Sequence, residues 1–444
     1  MDLATYQARR GRLIGEMRAK GGGVAILPTA AEMTRNADNT FPFRFDSNFF
    51  YLTGFPEPEA ILVLVASEPA QTILFCRSKH AEREIWDGFR YGPEGAARAF
   101  GIARALPIED LDTEMPRLMG NQPALYYGWG AHPEFDLRVQ QWLGAVRAQS
   151  RSGMFAPSTV VDVRALIGEM RLIKDDGELA TMRAAAEISA HAHERAMRAT
   201  HAGMKEYEIE AEILAEFRRR GAQAPAYGSI VAGGANACVL HYAHNDQLLR
   251  AGDLLLIDAG CELDGYASDI TRTFPVSGRF SAPQRDLYEV VLAAQEAAIR
   301  ATRAGAAWNE PHDAATAVLA QGMIDLGLLL GSLDGVLESG RYRQFYMHRT
   351  GHWLGLDVHD AGDYREPAAS PDPSAVREWR RLVPGMVLTI EPGLYVRPAD
   401  GVPEPFWNQG IRIEDDAVVT AAGCELLTSG VPKTVAAIEE IMRR

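Results

Sequence analysis

The sequence predicts an α/β domain followed by an α+β domain, and three features of its pattern predict it. Over about the first 170 residues, short apolar runs alternate with helical patterns, as an α/β layer requires. Near Lys174 a long helix opens with a capping-box spacing. Beyond it, helix pairs are followed by groups of strands, twice over, which reads as a duplicated architecture without sequence identity between the halves. A chain of 444 residues at roughly 100–200 residues per domain holds two or three domains. The domains are placed at residues 1–173 and 174–444.

In order along the chain, residues 3–19 and 134–148 read as helices, and 23–28, 60–66, 72–76 and 124–127 as strands. The boundary falls between Ala156 and Asp176, after the loop-like Arg151-Ser152-Gly153 and Ala156-Pro157-Ser158. Asp175 with Glu178 three residues later is the capping box. Leu179, Met182, Ala186 and Ala190 then mark one helical face. A second helix near 206–219 aligns Ile209, Ile213 and Phe217. Strands are expected at 226–232, 237–242, 253–259 and 266–274, then helices at about 282–304 and 309–327. Leu287, Val290, Val291, Ala294 and Ala298 make the first of these amphipathic. Further strands are expected near 345–350, 386–391, 393–397 and 409–419. Residues 362–384, with REPAASPDP, read as a surface loop that either borders the site or is an insertion.

Composition excludes several classes. The chain is 47% hydrophobic and 23% charged, an ordinary globular profile. A net charge of −14 and a pI near 5.3 argue against nucleic acid as a partner, because phosphate binding needs a basic face. They also disfavour anionic membrane surfaces. The first residues, MDLATYQARRGRLIGEM, do not read as a signal peptide. The longest clearly apolar run, 61–66, is far too short to span a bilayer. Cys76, Cys238, Cys261 and Cys424 form no CxxC pair, which suggests a reducing compartment. A soluble, cytoplasmic protein is expected. Cys261, close to Asp258, reads as a buried apolar thiol rather than a ligand.

The chemistry concentrates in Asp258, Asp269, His352, Glu391 and Glu414, within LLLIDAG, ASDITRTF, GHWLGLDVHD, LTIEPGLY and RIEDD. Carboxylates among apolar residues must be paired or bound to a metal. Two divalent cations bring four positive charges, which four carboxylates cancel. Asp258 and Asp269 flank an Asp-Gly turn signal. A loop at Leu263-Asp264 sets Asp258 opposite Asp269, and a loop at Asp264-Gly265 sets it opposite Thr271. Either register leaves both aspartates on one face. Ile411 and Ile413 take one face of their strand, and Arg412 with Glu414 takes the other, so an Arg412–Glu414 ion pair is the metal-free alternative. His348, His352 and His359 fall within twelve residues, but no HExxH is formed, so at most two are ligands and the rest serve as acid/base or substrate groups. His241 precedes the first aspartate strand and is placed to face the site, whereas His191 and His193 read as structural. The oxygen-rich set with one nitrogen favours Mn²⁺, with Co²⁺, Fe²⁺ or Zn²⁺ compatible. Two such ions would activate a water for hydrolysis. No phosphate loop, GxGxxG or G-x-S-x-G is present.

These segments together (IDAGCELDGYASDITRTFP, MHRTGHWLGLDVHD, GMVLTIEPGLY and GIRIEDD) closely resemble the aminopeptidase P, or Xaa-Pro aminopeptidase, family of the M24 pita-bread metallopeptidases. DSNFFYLTGFPEPEAILVL and EIWDGFRYGP resemble that family's N-terminal domain. The resemblance implies a pita-bread (creatinase/aminopeptidase-like) catalytic domain. It implies that Asp258 and Asp269 hold one metal, that Asp269 and Glu414 bridge both, and that His352 and Glu391 complete the ligand set of the second metal. Glu391 would also be the general base. His241, His348 and His359 would line the substrate cleft, with His359 stabilising the oxyanion, and Arg412 would be a cleft arginine. Trp86 would reach a neighbouring subunit's site in a homo-oligomer, a dimer or tetramer. The substrates would be peptides with proline at the second position. The 362–384 loop is longer than the family's usual one. A prolidase acting on Xaa-Pro dipeptides shares all five ligands and is the main alternative. A non-catalytic pita-bread binding module and a metal-free amidinohydrolase are more remote.

Overall fold

Residues 1–367, 372 and 375–443 are described by the structure, a computed structural model, and the chain divides into two units, Met1–Arg171 and Leu172–Arg444. The first unit is built on a six-stranded mixed sheet. Its order is Arg104–Pro107, Gln71–Cys76, Ile61–Val65, Val24–Pro28, Ala124–Tyr126 and Thr159–Val161. Ile61–Val65 (ILVLV) is buried at every position, which a strand covered on both faces requires. It pairs antiparallel with both neighbours, setting Leu27 and Leu74 on either side of Leu62. The helix Leu3–Ala19 starts where Asp2 accepts the Thr5 N–H at 2.9 Å. The helix Pro133–Arg147 buries Val139, Trp142, Leu143 and Val146 in a core shared with Val63, Phe75 and Leu125. The sequence reading did not include the strands Arg104–Pro107 and Thr159–Val161 at the two sheet edges, which are short and hold no fully buried residue.

In the second unit, the capping box is present: the Asp175 carboxylate accepts the Glu178 N–H and Glu178 accepts the Asp175 N–H, each at 2.9 Å. It opens the helix Asp176–Ala199, which pairs with Glu206–Arg219. A sheet ordered Ile230–Gly233, Leu254–Asp258, Thr271–Pro275 follows. A second helix pair, Ala282–Ala301 and Glu310–Asp325, precedes a sheet ordered Val387–Ile390, Asp415–Val419, Cys424–Leu426. The duplicated helix–helix–sheet plan is therefore real at the level of elements. One continuous core, including Ile213, Phe217, Leu255, Ile257, Val291 and Ile411, joins them.

Five expected strands differ: the one at 226–232 is shortened to Ile230–Gly233, and the other four differ as follows. Residues 237–242 are not a strand; Gly234–Cys238 is a 3₁₀ turn. The strand Gln409–Arg412 lies so close to it that a Cβ at Gly410 would sit 2.1 Å from the Ala237 carbonyl oxygen. Residues 345–350 are irregular, because neighbours satisfy their backbone singly: Tyr395 N–H bonds the Phe345 carbonyl at 2.9 Å and Glu391 N–H the Thr350 carbonyl at 2.8 Å. The strand expected at 266–274 is split into Tyr266–Ala267 and Thr271–Pro275, and that at 409–419 into Gln409–Arg412 and Asp415–Val419. The breaks carry Asp269 and Glu414. Of the 362–384 loop, residues 368–371, 373 and 374 lie outside the described residues. Among the described residues, no helix is long and apolar enough to cross a membrane.

Candidate functional site

The carboxylates are delivered by the ends of the two small sheets. Asp264 and Gly265 both have positive φ, 49° and 84°, the geometry of a two-residue type I′ hairpin turn. Leu263 pairs with Tyr266 across it, and the register carries through to Asp258 opposite Thr271, the second of the two registers the sequence allows. The hairpin closes tightly beside the site: a Cβ at Gly260 would lie 1.7 Å from the Ser268 carbonyl oxygen. In the other sheet Ile390 pairs with Asp415, so Glu391 and Glu414 leave it side by side. The two sheets are tied where they meet. Glu414 N–H donates to the Thr271 carbonyl at 3.0 Å, and the Thr271 hydroxyl donates to Glu414 Oε2 at 2.6 Å.

His352 comes from an irregular segment, held by its own backbone. Its N–H donates to Thr389 Oγ1 at 3.1 Å and its carbonyl accepts the Thr389 N–H at 2.9 Å. A buried ion pair, Lys174 Nζ to Asp360 Oδ2 at 2.9 Å, pins the far end of that segment. The His352 Nδ1 faces the Trp353 carbonyl at 3.0 Å, so Nδ1 carries the proton and Nε2 points at the carboxylates. Nε2 lies 3.5 Å from Asp269 Oδ2 and 3.7 Å from Glu391 Oε1. Ligand atoms of Asp269, His352 and Glu414 all lie within 4.8 Å of one another.

One cavity of about 800 Å³ takes in Asp258, Asp269, His352, Glu391 and Glu414, together with His241, His348, His359 and Arg412. Trp86 is not among its lining residues; it lies in the first unit, on the helix Ala81–Asp87, with 84% of its surface exposed. Arg412 forms its ion pair with Asp258 Oδ2. The alternative of an Arg412–Glu414 pair therefore gives way to one with Asp258. Cys261 is fully buried with its sulfur 3.3 Å from the Ala185 carbonyl, a structural thiol that burial pushes up in pKa. His193 is buried against the Ala259 carbonyl at 2.9 Å, while His191 is half-exposed, as two residues apart on a helix demand.

The electrostatics of the cluster are those of crowded negative charge. Burial raises Glu391 to about 7, against the pull of His352 and Arg412. Burial, with Asp269, Glu391 and Asp258 around it, holds Glu414 well above the usual carboxylate range. Burial also raises Asp269, and Asp258 adds to the effect. Burial would lower His352, yet Asp269 and Glu391 outweigh it and raise the ring to about 9. His348 goes the other way: burial and Arg412 lower it to about 4. Its Nδ1 faces the Arg349 carbonyl at 2.7 Å and its Nε2 the Tyr395 hydroxyl at 2.9 Å, so both ring nitrogens are engaged within the protein. Burial likewise lowers His359, whose ring centroid stands 4.2 Å from that of His352.

Three contributors were not singled out from sequence. The Tyr227 hydroxyl reaches both Asp258 Oδ1, at 2.6 Å, and Asp269 Oδ1. Tyr395 lies between His348 and Arg412. Asp416 Oδ2 accepts the Asp269 N–H at 3.0 Å, holding the break that carries Asp269. Only Asp416 left a readable signal, a second carboxylate in an apolar strand directly after RIED. Tyr364 and Trp379, from the described part of the 362–384 loop, line the cavity with Trp308, so that loop borders the site.

Comparison with known proteins adds to this geometry. The family model for metallopeptidase family M24 matches residues 180–421, and that for the aminopeptidase P N-terminal domain matches residues 6–126. The chain is 43% identical to Xaa-Pro aminopeptidase of Escherichia coli K12, over 98% of this chain and 97% of that protein. It is also 43% identical to Xaa-Pro aminopeptidase of Haemophilus influenzae, over 98% and 96%. Among solved structures, Pseudomonas aeruginosa aminopeptidase PepP superposes with a TM-score of 0.95 at 48% identity, covering 100% of this chain and 98% of that one. Zinc-substituted E. coli aminopeptidase P in complex with product gives a TM-score of 0.94 at 42% identity, with the same coverage.

Proposed function

Because the chain belongs to metallopeptidase family M24, with the pita-bread catalytic fold and an aminopeptidase P N-terminal domain, we propose that it is an Xaa-Pro aminopeptidase. It releases the first residue of peptides that carry proline second. The observation that carries this reading is the convergence of four carboxylates and one imidazole on one cavity, in a chain matched along nearly its whole length.

The donor set fits divalent cations. Glu391, Glu414 and Asp269 are raised because like charges are buried together, and His352 is raised because it stands among them. Cations in their midst neutralise that repulsion. Asp258, Asp269, His352, Glu391 and Glu414 would hold two ions, Asp269 and Glu414 serving both. The oxygen-rich set suits Mn²⁺, with Co²⁺, Fe²⁺ or Zn²⁺ as alternatives. When bound, such ions polarise the scissile carbonyl and make water acidic enough to lose a proton near neutral pH.

The remaining work falls to side chains. Glu391 takes the proton of the attacking water at its carboxylate and delivers it toward the leaving nitrogen. His359 stabilises the developing oxyanion from beside His352. His348, with both nitrogens occupied, walls the site and steadies Tyr395 rather than exchanging a proton. His241 lines the same cavity, and Arg412 fixes Asp258. The bond to proline nitrogen is a tertiary amide without an N–H. Subsites that grip that N–H cannot use it, whereas direct polarisation of the carbonyl can. The enzyme would act in the cytoplasm as a dimer or tetramer, with Trp86 of one subunit reaching its neighbour.

The test compares hydrolysis of an Xaa-Pro-Yaa tripeptide, an Xaa-Pro dipeptide and a tripeptide lacking proline, with metal content measured alongside. Cleavage of the first, loss of activity in Asp258→Ala and Glu414→Ala, and bound divalent metal are expected. Turnover of the dipeptide alone would make the protein a prolidase. A chain that retains no metal after reconstitution would point to a binding module.

A further inference from the structure

Glu206 opens the helix Glu206–Arg219 and is completely buried, outside the cavity that holds the cluster. Its carboxylate accepts four hydrogen bonds. Oε1 takes the Gly233 N–H at 2.8 Å and the Asn236 amide at 3.0 Å. Oε2 takes the Tyr242 hydroxyl at 2.8 Å and the Gln247 N–H at 2.9 Å. Its own N–H returns a bond to the Gln247 carbonyl at 3.0 Å. Four donors use both lone pairs of both oxygens, which only an acceptor-only carboxylate provides.

All four donors belong to one segment, from the end of the strand Ile230–Gly233 to Gln247, and His241 lies within it. His241 is exposed and lines the cavity, and its ring makes no hydrogen bond to protein among the described residues. The anchoring therefore comes from its neighbour Tyr242 and from both ends of the segment. The same strand pairs with the strand of Asp258, Ile230 opposite Asp258. Asn245 adds a second tie: its side chain accepts the Val231 N–H at 3.0 Å and donates to the Ser229 carbonyl at 2.8 Å.

We propose that Glu206 is a positioning residue that sets where His241 stands in the substrate cleft, acting through Tyr242 and the two ends of the 233–247 segment. The inference rests on the peptidase reading for its kinetic arm. A glutamine at 206 offers one acceptor oxygen and an amide that cannot accept from Tyr242 or Gln247.

The experiment is a double-mutant cycle on the metal-reconstituted full chain, with Glu206→Gln, His241→Ala and the pair, assayed on an Xaa-Pro-Yaa tripeptide. Glu206→Gln should lower kcat/KM about tenfold or more in the parent, yet less than about twofold once His241 is gone. Tyr242→Phe should show the same non-additivity in milder form, and it serves if the glutamine variant does not fold. In parallel, histidine-selective NMR should show the His241 ring signals shifted in either variant. Equal losses in both backgrounds, or an unmoved His241 signal, would overturn the proposal. If the parent cleaves no Xaa-Pro peptide, that counts against the peptidase reading alone, and the NMR arm still decides the role of Glu206.

Discussion

Arg412 donates from three nitrogens at once: Nη2 to Asp258 Oδ2, Nη1 to the Tyr395 hydroxyl at 3.0 Å and Nε to Thr271 Oγ1 at 3.1 Å. The Thr271 hydroxyl in turn donates a hydrogen bond to Glu414 Oε2. One guanidinium thus orients two carboxylates from different sheets. A lysine ammonium is a point charge on a flexible stem and cannot keep three divergent bonds. Arg412→Lys is expected to lower metal affinity or kcat/KM by about 10–100-fold, the usual loss when a partner that orients ligands is removed. Metal titration and tripeptide kinetics check this, and values within twofold of the parent would contradict it. Arg412 was readable from sequence because its alternation with Ile411 and Ile413 sets it on the polar face. Tyr227 and Tyr395 were not, because an aromatic residue in an apolar context reads as core. Only the fold reveals that the Tyr227 hydroxyl meets carboxylates 31 and 42 residues away.

At the level of elements, helices with caps and strong periodicity were legible, and the strands that carry ligands were legible only as far as their regular parts. Asp269 and Glu414 sit at breaks in strands that alternation alone would run through, since local pattern yields where a site needs an irregular backbone. The helix Asp176–Ala199 adds a pH-dependent contact beside that region. His193 is fully buried, its Nε2–H donates to the Ala259 carbonyl, and its Nδ1 has no partner among the described residues. Burial lowers this ring to about 4, from about 6.5 when unfolded. The folded state therefore binds fewer protons between those values. Stability from this site is complete above about pH 6.5, falls as pH drops from about 6.5 to 4, and is constant below. His193→Gln keeps a donor for Ala259 without a titrating ring. Urea midpoints of parent and variant, both EDTA-treated, should converge as pH is lowered from 7.5 to 4.5 if the ring acts this way. Two curves that fall in parallel would show that it does not.

For the whole molecule, the proposed oligomer needs a surface that would bring copies together. A net charge of −14 opposes self-association, though salt confines that repulsion to about 8 Å at physiological ionic strength. Attraction must then come from apolar surface. Ile85, Trp86 and Phe89 are 81%, 84% and 66% exposed within five consecutive residues, on or just after the helix Ala81–Asp87. Large side chains of this kind gain about 1.5–3 kcal/mol each on full burial, and a monomer rarely leaves so many together in water. The proposed oligomer would bury this patch and carry Trp86 to a neighbouring subunit. Trp86→Glu should therefore shift sedimentation toward the monomer and lower kcat/KM together. The milder Trp86→Ala should weaken activity while leaving metal content unchanged, because Trp86 is not among the residues lining the cavity that collects the five metal-ligand candidates. If the glutamate variant sediments as a monomer with undiminished kcat/KM, each subunit is a complete enzyme and the patch serves assembly alone. If it sediments like the parent, the contact between copies lies elsewhere on the chain.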